Sequence, residues 1–212
     1  MSHKAIPDAS DEYCGTSYAA KLLNLSVGSI QSLVEKNELR AWKTQGGHRR
    51  ISIQSIYQYQ NRANLSPKNP MPQGRWLKVM VVEDDGPTRA MYQAHFDHWD
   101  MPIDVVLGAS GIEALLDIPL VKPQVLITDL RMPGIDGFEL IRSLSQHPQL
   151  SGMAVLAITG MSPAEVARKG GVPEGVQLLR KPLDMGWLHG YFHALLSLRQ
   201  LSQRQGQESE MT

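Results

Sequence analysis

Hydrophobic positions change their period near the middle of the chain, and two regions separate on that basis. In the first, Thr16-Ser17 reads as a helix start, followed by Tyr18, Ala19, Leu22 and Leu23 at helical spacing. Asn24-Leu25-Ser26 breaks the pattern, and Ser26 is suited to cap a second helix. That helix buries Val27, Ile30, Leu33 and Val34 and shows Gly28, Ser29, Gln31, Ser32 and Lys36 outside. Leu39-Arg40-Ala41-Trp42-Lys43 alternates as a short strand. Gly46-Gly47 turns it, Arg49-Arg50-Ile51-Ser52-Ile53 returns, and Ser55 to Arg62 reads as a closing helix. The second region carries apolar runs of strand length at Leu77–Val82, Val125–Thr128, Ala154–Ile158 and Val176–Leu179, with Asp104 to Leu107 as a further strand. Helical patterns intervene at about 110–117, 137–145, 163–169 and 185–197. Near-continuous apolar strands alternating with helices predict a parallel sheet covered on both faces.

Between the two regions, Asn64 to Gly74 holds three prolines and no apolar period, which predicts a linker. The expected organisation is therefore a small unit at 1–62, a linker at 63–76, the parallel unit at 77–198 and a tail at 199–212, disordered from about Gln203. The fold class expected is a small α+β winged helix-turn-helix followed by a doubly wound, flavodoxin-like α/β domain with five parallel strands. Composition changes this picture little: 42% hydrophobic and 20% charged residues fit globular domains. A single cysteine, Cys14, excludes an internal disulfide, and no apolar run reaches the length of a membrane span, so a cytoplasmic protein without a membrane partner is expected.

Charge adds more. The net charge is zero, yet residues 1–70 hold nine basic against five acidic side chains and the remainder twelve against sixteen. That asymmetry points to a nucleic-acid-facing part joined to an acidic part. The hairpin tip Lys43-Thr44-Gln45-Gly46-Gly47-His48-Arg49-Arg50 concentrates cations beside its tightest turn. It reads either as an ordinary surface hairpin or as a tip that carries forked donors to phosphate.

The order of features over roughly residues 13–62 resembles the small winged-helix DNA-binding domains of the MerR and excisionase type. The resemblance implies that the helix from Val27 enters a major groove while the wing meets backbone or minor groove. Ser26, Ser29, Gln31, Ser32, Lys43, Gly46, Gly47, His48, Arg49 and Arg50 are then the expected contacts to double-stranded DNA. The long dimerisation helix of typical MerR activators is absent.

In the second region the apolar runs end in Glu83-Asp84, Asp129, Thr159 and Lys181, and ligands bind beyond the carboxyl ends of such strands. Clustered carboxylates repel one another unless a cation sits among them, and oxygen ligands favour Mg²⁺. The spacings of 45 positions from Asp84 to Asp129, 30 from Asp129 to Thr159 and 22 from Thr159 to Lys181 resemble the receiver domain of two-component response regulators, over roughly residues 77–198. The resemblance implies that Asp129 accepts a phosphoryl group from a sensor histidine kinase or phosphotransfer protein. It implies that Glu83, Asp84, Asp129 and the Arg131 carbonyl hold Mg²⁺, that Thr159 and Lys181 stabilise the phosphoryl group, and that Lys181-Pro182 is cis. Leu178 stands where the family carries an aromatic residue. Gly160 leaves the pocket open, and Arg131 and Met161 are expected to flank the path of a hydrolytic water. His189 and His193, four apart on the last helix, lack an evident third ligand.

These readings converge on a DNA-binding response regulator, not an enzyme beyond its own phosphorylation and dephosphorylation, controlled through dimerisation as a homodimer. The alternative is a phospho-regulated adaptor whose winged helix binds a protein.

Overall fold

The computed structural model describes residues 11–63, 76–99, 101–146 and 152–210, with side chains described to 202, and the linker expected at Asn64 to Gly74 lies outside these residues. The N-terminal unit contains β1 (Tyr13–Gly15), α1 (Thr16–Leu23), α2 (Val27–Glu35), β2 (Ala41–Lys43), β3 (Arg49–Ser52) and α3 (Ile53–Arg62). Its sheet has three antiparallel strands in the order β1-β3-β2, with Cys14 opposite Ile51 and Lys43 opposite Arg49. Strand β1 has no counterpart in the sequence reading, because three residues carry no period and their partner is distant in the chain. Thr16 and Ser17 are the first two residues of α1, as the sequence predicts, and Gly15 occupies the cap position without a side-chain hydrogen bond. Ser26 does cap α2, its Oγ accepting from Ser29 N at 3.0 Å. Between the helices Asn24 adopts a left-handed conformation (φ 54°), which its short polar side chain tolerates, and the turn closes when Leu25 N donates to Ala20 O.

Ile30, Leu39, Ile51 and Ile56 centre this unit's core, and Cys14 is buried there. Burial raises the Cys14 thiol pKa, so the side chain behaves as a small apolar group. Val27, expected on the buried stripe, is 42% exposed. As the first residue of α2 it precedes the turn over which its side chain would have to fold.

The C-terminal unit runs β4 (Leu77–Val82), α4 (Gly86–His98), β5 (Ile103–Gly108), α5 (Gly111–Val121), β6 (Val125–Asp129), α6 (Gly137–Ser145), β7 (Ala154–Thr159), α7 (Pro163–Arg168), β8 (Gln177–Arg180) and α8 (Met185–Glu210). Its five strands are parallel in the order β5-β4-β6-β7-β8, the doubly wound topology whose order reverses at β4. Alternation along β4 divides the core. Leu77, Val79 and Val81 face Tyr92 and Phe96 of α4 and Leu188, Phe192 and Leu196 of α8, while Met80 and Val82 face Ala114 and Ile118 of α5 and Leu140 of α6. Helix α8 continues to Glu210, so residues 199–210 extend a helix where a tail, partly disordered, is expected. Gln, Arg and Glu are good helix formers and no proline stops them. Trp187, near the start of α8, is 38% exposed and stacks on Tyr191.

The two units touch. Trp76 precedes β4 and packs its ring on Tyr18 of α1, with centroids 3.7 Å apart. Lys21 Nζ reaches the Trp99 carbonyl at 3.4 Å, and β1 lies beside the sheet edge formed by β5.

Candidate functional site

The chain leaves β4 at Glu83, and three acids in a row take different tasks. Asp85 caps α4, its Oδ2 accepting from Thr88 N at 2.8 Å. Glu83, 3% exposed, and the exposed Asp84 remain at the strand end. Asp129, the last residue of β6, lies beside them because β4 and β6 are register neighbours. One carboxylate oxygen from each of Glu83, Asp84 and Asp129 lies within 4.8 Å of the others, and among the described residues this is the sole cluster of three or more such ligands. His189 and His193 are thus without a third ligand.

Lys181 approaches from beyond β8, donating from Nζ to Asp129 Oδ2 at 2.7 Å and to Glu83 Oε2 at 2.8 Å. Its N–H bonds the Thr159 carbonyl at 2.9 Å, and the Lys181-Pro182 peptide is cis. Burial raises the Glu83 pKa and the Asp129 charge adds to that, with Lys181 opposing. Burial by itself would lower the Lys181 pKa, but the hydrogen bonds to Asp129 and Glu83 outweigh it and raise the net value. Three carboxylates face one ammonium, so the pocket keeps an excess of negative charge on hard oxygen donors. That donor set fits a divalent cation.

Asp129 Oδ1 accepts from Arg131 N at 2.9 Å, and the Arg131 side chain is exposed. Thr159 is buried beside the pocket, its Oγ1 accepting from Met161 N at 3.1 Å. Met161, expected to flank an open path, is 6% exposed and packs with Phe138, Ile141 and Val166, so it lines no such path. Beside Gly160 the space is open, and Leu178 is exposed on β8. A residue absent from the sequence reading, Arg89, ties the acidic loop down: its Nη1 donates to the carbonyls of Glu83 and Asp84 at 2.6 and 2.7 Å. Its place one turn into α4, four residues after the capping Asp85, is the signal that could have found it.

The expected nucleic-acid face divides. Ser26, Gln31, Lys43, Gly46 and Gly47 are exposed, and Ser29, Ser32, His48 and Arg49 are half-buried. Arg49 pairs with Glu35 of α2 at 3.1 Å. Arg50 departs from expectation. It is 2% exposed, and its guanidinium meets Asp104 of β5 at 2.5 and 3.3 Å. Successive residues of a strand point to opposite faces, so Arg49 and Arg50 cannot both face outward. His48, beside them, has its pKa lowered by burial and by the Arg50 charge.

Comparison with known proteins agrees with both units. Residues 79–192 match the model of the response regulator receiver domain, and residues 13–64 match a helix-turn-helix domain. The C4-dicarboxylate transport transcriptional regulatory protein DctD of Pseudomonas aeruginosa is 45% identical over 49% of this chain, and the response regulator Rre1 of Synechocystis is 28% identical over 63%. Those matches span 20% and 57% of the two relatives' own lengths. The N-terminal domain of an uncharacterized protein from Wolinella succinogenes superposes with a TM-score of 0.51 at 26% identity, covering 60% of this chain and 98% of that domain. Among the described residues no helix is long and apolar enough to cross a membrane. With its receiver fold, its acidic strand-end cluster and more than half of its length in the match, this chain belongs to the response regulator receiver family and carries a helix-turn-helix domain ahead of the receiver.

Proposed function

We propose that the protein is a phosphorylation-controlled DNA-binding response regulator, and the observation that carries this reading is Asp129 held between Lys181 and two further acids. An oxygen of the Asp129 carboxylate attacks the phosphorus of a phosphohistidine on a sensor kinase or phosphotransfer protein. The phosphorus–nitrogen bond breaks, the imidazole leaves, and an acyl phosphate forms. Glu83, Asp84, Asp129 and the Arg131 carbonyl would hold Mg²⁺, which when bound offsets charge on the phosphoryl oxygens. Lys181 sits on Asp129 already and neutralises the charge that develops. The acyl phosphate carries about −2 charge where the free carboxylate carried −1. Thr159 Oγ1 accepts from Met161 N, and turning its O–H toward the phosphoryl oxygens is the movement that reports the event. No further enzymatic activity is assigned.

On the DNA side, Ser26 at the cap of α2 and Ser29, Gln31 and Ser32 within it read base edges while Lys43 and Arg49, with the backbone at Gly46 and Gly47, contact phosphates. One such unit makes few phosphate contacts, so two must act together. Exposed apolar side chains at Trp187, Leu198 and Leu201 support a homodimer seam along α8. Replacing Leu198 and Leu201 by Asp together is expected to leave the fold intact and to turn a dimer into a monomer in sedimentation. Loss of avidity should then weaken DNA binding about 100-fold or more; a double variant that still sediments as a dimer would remove α8 from the account.

The reading is tested by selecting duplexes from a random pool with the purified chain at fixed salt. A discrete motif that disappears on Arg49→Ala and Gln31→Ala is expected. Only sequence-blind binding would instead favour the adaptor alternative, in which the helix-turn-helix unit holds a protein.

A further inference from the structure

We infer that the wing is a clasp: the receiver holds it through Asp104 and Asp117, and DNA must displace the receiver to use it. The inference rests on the helix-turn-helix unit being the DNA reader.

Two receiver carboxylates, Asp104 at 3% and Asp117 at 1% exposure, are buried against the N-terminal unit. Asp104 of β5 takes both the Arg50 guanidinium and the Gly15 N–H, the latter at 2.9 Å. Asp117 of α5 accepts from Gln45 N in the wing loop at 3.1 Å, while its Oδ2 makes no hydrogen bond among the described residues. The two glycines of the wing serve different ends. Gly47 takes a positive φ of 82° with open space around it, whereas a Cβ on Gly46 would lie 3.0 Å from Glu113 Oε2 and 3.5 Å from the Leu107 carbonyl. Gly46 is therefore small so that the receiver can approach.

In this arrangement the outer residues of α2 stay open while Arg50 is closed off from any phosphate. A carboxylate and a phosphate compete for the same forked donor. Burying the ion pair strips both charges of water, and that cost offsets much of their attraction, so the pair is a weak lock that a phosphate can open. Apart from the Tyr18–Trp76 stack, the contacts that join the wing to the receiver are polar, and the junction is incompletely filled: a cleft of about 200 Å³ lies against it, lined among others by Lys21, His48, Trp76, Phe96 and Asp97. Polar interfaces between domains are the kind that open.

The clasp also lies next to the phosphorylation pocket. Glu83 N donates to the Gly108 carbonyl at 3.2 Å, and Ala109 N donates to Glu113 Oε2 at 2.8 Å, the atom nearest Gly46. A shift of the Glu83 loop on phosphorylation thus acts on the segment that seats the wing tip.

The test uses the full chain, as wild type and as Asp104→Asn and Asp117→Ala, both on the receiver side and outside the pocket and the DNA face. Hydrogen exchange is read at the Gly15 and Gln45 amides, and affinity for a selected duplex is read at one salt concentration. Both amides are expected to be protected in the wild type and to lose protection with beryllofluoride and Mg²⁺. In each variant DNA should bind about tenfold tighter without the mimic, and the mimic should add little. Amides that stay protected in every state, with affinity unchanged or lowered in folded variants, overturn the clasp, as does a wild type that never protects them. If protection switches as expected but no duplex is selected, the clasp stands and the DNA reading falls. Asp117→Ala keeps the test open should Asp104→Asn, which leaves Arg50 without its charge partner, fail to fold.

Discussion

Asp129→Ala is expected to take up no phosphoryl group from a labelled small-molecule donor, and Lys181→Met to take it up on the order of 100- to 1,000-fold more slowly than wild type. The first removes the nucleophile, so no bond to phosphorus can form on the protein at that site. The second keeps the nucleophile and removes the cation that sits 2.7 Å from its oxygen and 2.8 Å from Glu83. A second readout separates this role from a merely structural one. Without Lys181 the three acids lose their internal counter-charge, so the cluster should bind Mg²⁺ more tightly even as phosphorylation slows. Titration with Mg²⁺ followed by tryptophan fluorescence or calorimetry checks that direction. A Lys181→Met protein that binds Mg²⁺ more weakly and phosphorylates at the wild-type rate would contradict the assignment of the ammonium to the developing charge.

Gly137→Ala is expected to lower the melting temperature and to slow phosphorylation although the substituted residue carries no functional group. Gly137 is the first residue of α6, directly after the capping Asp136, and it packs against the end of β6. A Cβ there would overlap the Asp129 carbonyl oxygen and stand 2.8 Å from Leu130 Cα and 3.0 Å from Asp129 C. All three neighbours are backbone, so no side chain can swing away, and either α6 or the strand end must move. Overpacking of this kind costs about 1–3 kcal/mol, sometimes more. At roughly 2–4 °C per kcal/mol for a chain of this size, the transition should fall by up to about 12 °C. Moving the strand end also moves the Asp129 carboxylate away from Lys181, which links packing to chemistry. Gly160→Ala is the control: nothing lies within 4 Å of its Cβ, and its melting temperature should match the wild type. Calorimetry on the two variants decides the matter, and equal transitions would mean that α6 yields without cost.

The sequence displayed the receiver clearly because its determinants are local. Leu77–Val82, Val125–Asp129 and Ala154–Thr159 are apolar runs that end in polar residues, and a parallel sheet brings those ends to one edge whatever the loops do. Asp129 and Glu83 could be placed together on that ground before any contact was known. Arg89 escaped notice because its partners are carbonyls, which every residue carries. The N-terminal unit was legible to the extent of its helices and hairpin, but β1 depends on pairing Cys14 with Ile51, a contact no local period encodes. Arg50 shows the same limit from another side. Adjacent arginines on a strand must face opposite ways, so one of them needed a partner, and nothing near it in sequence offers one. That partner is Asp104, a lone acid in the apolar edge strand Ile103–Gly108, 54 residues further on. Read together, an unaccounted cation and an unaccounted anion pointed to each other, but only the fold fixes which pairs meet.

The most direct test of the account compares the affinity of the full chain for its selected duplex with and without beryllofluoride and Mg²⁺, at one salt concentration, for wild type and Asp129→Ala. The mimic is expected to tighten wild-type binding at least tenfold and to leave Asp129→Ala unmoved. Equal affinities for the wild type in both states, or the same shift in Asp129→Ala, would contradict it.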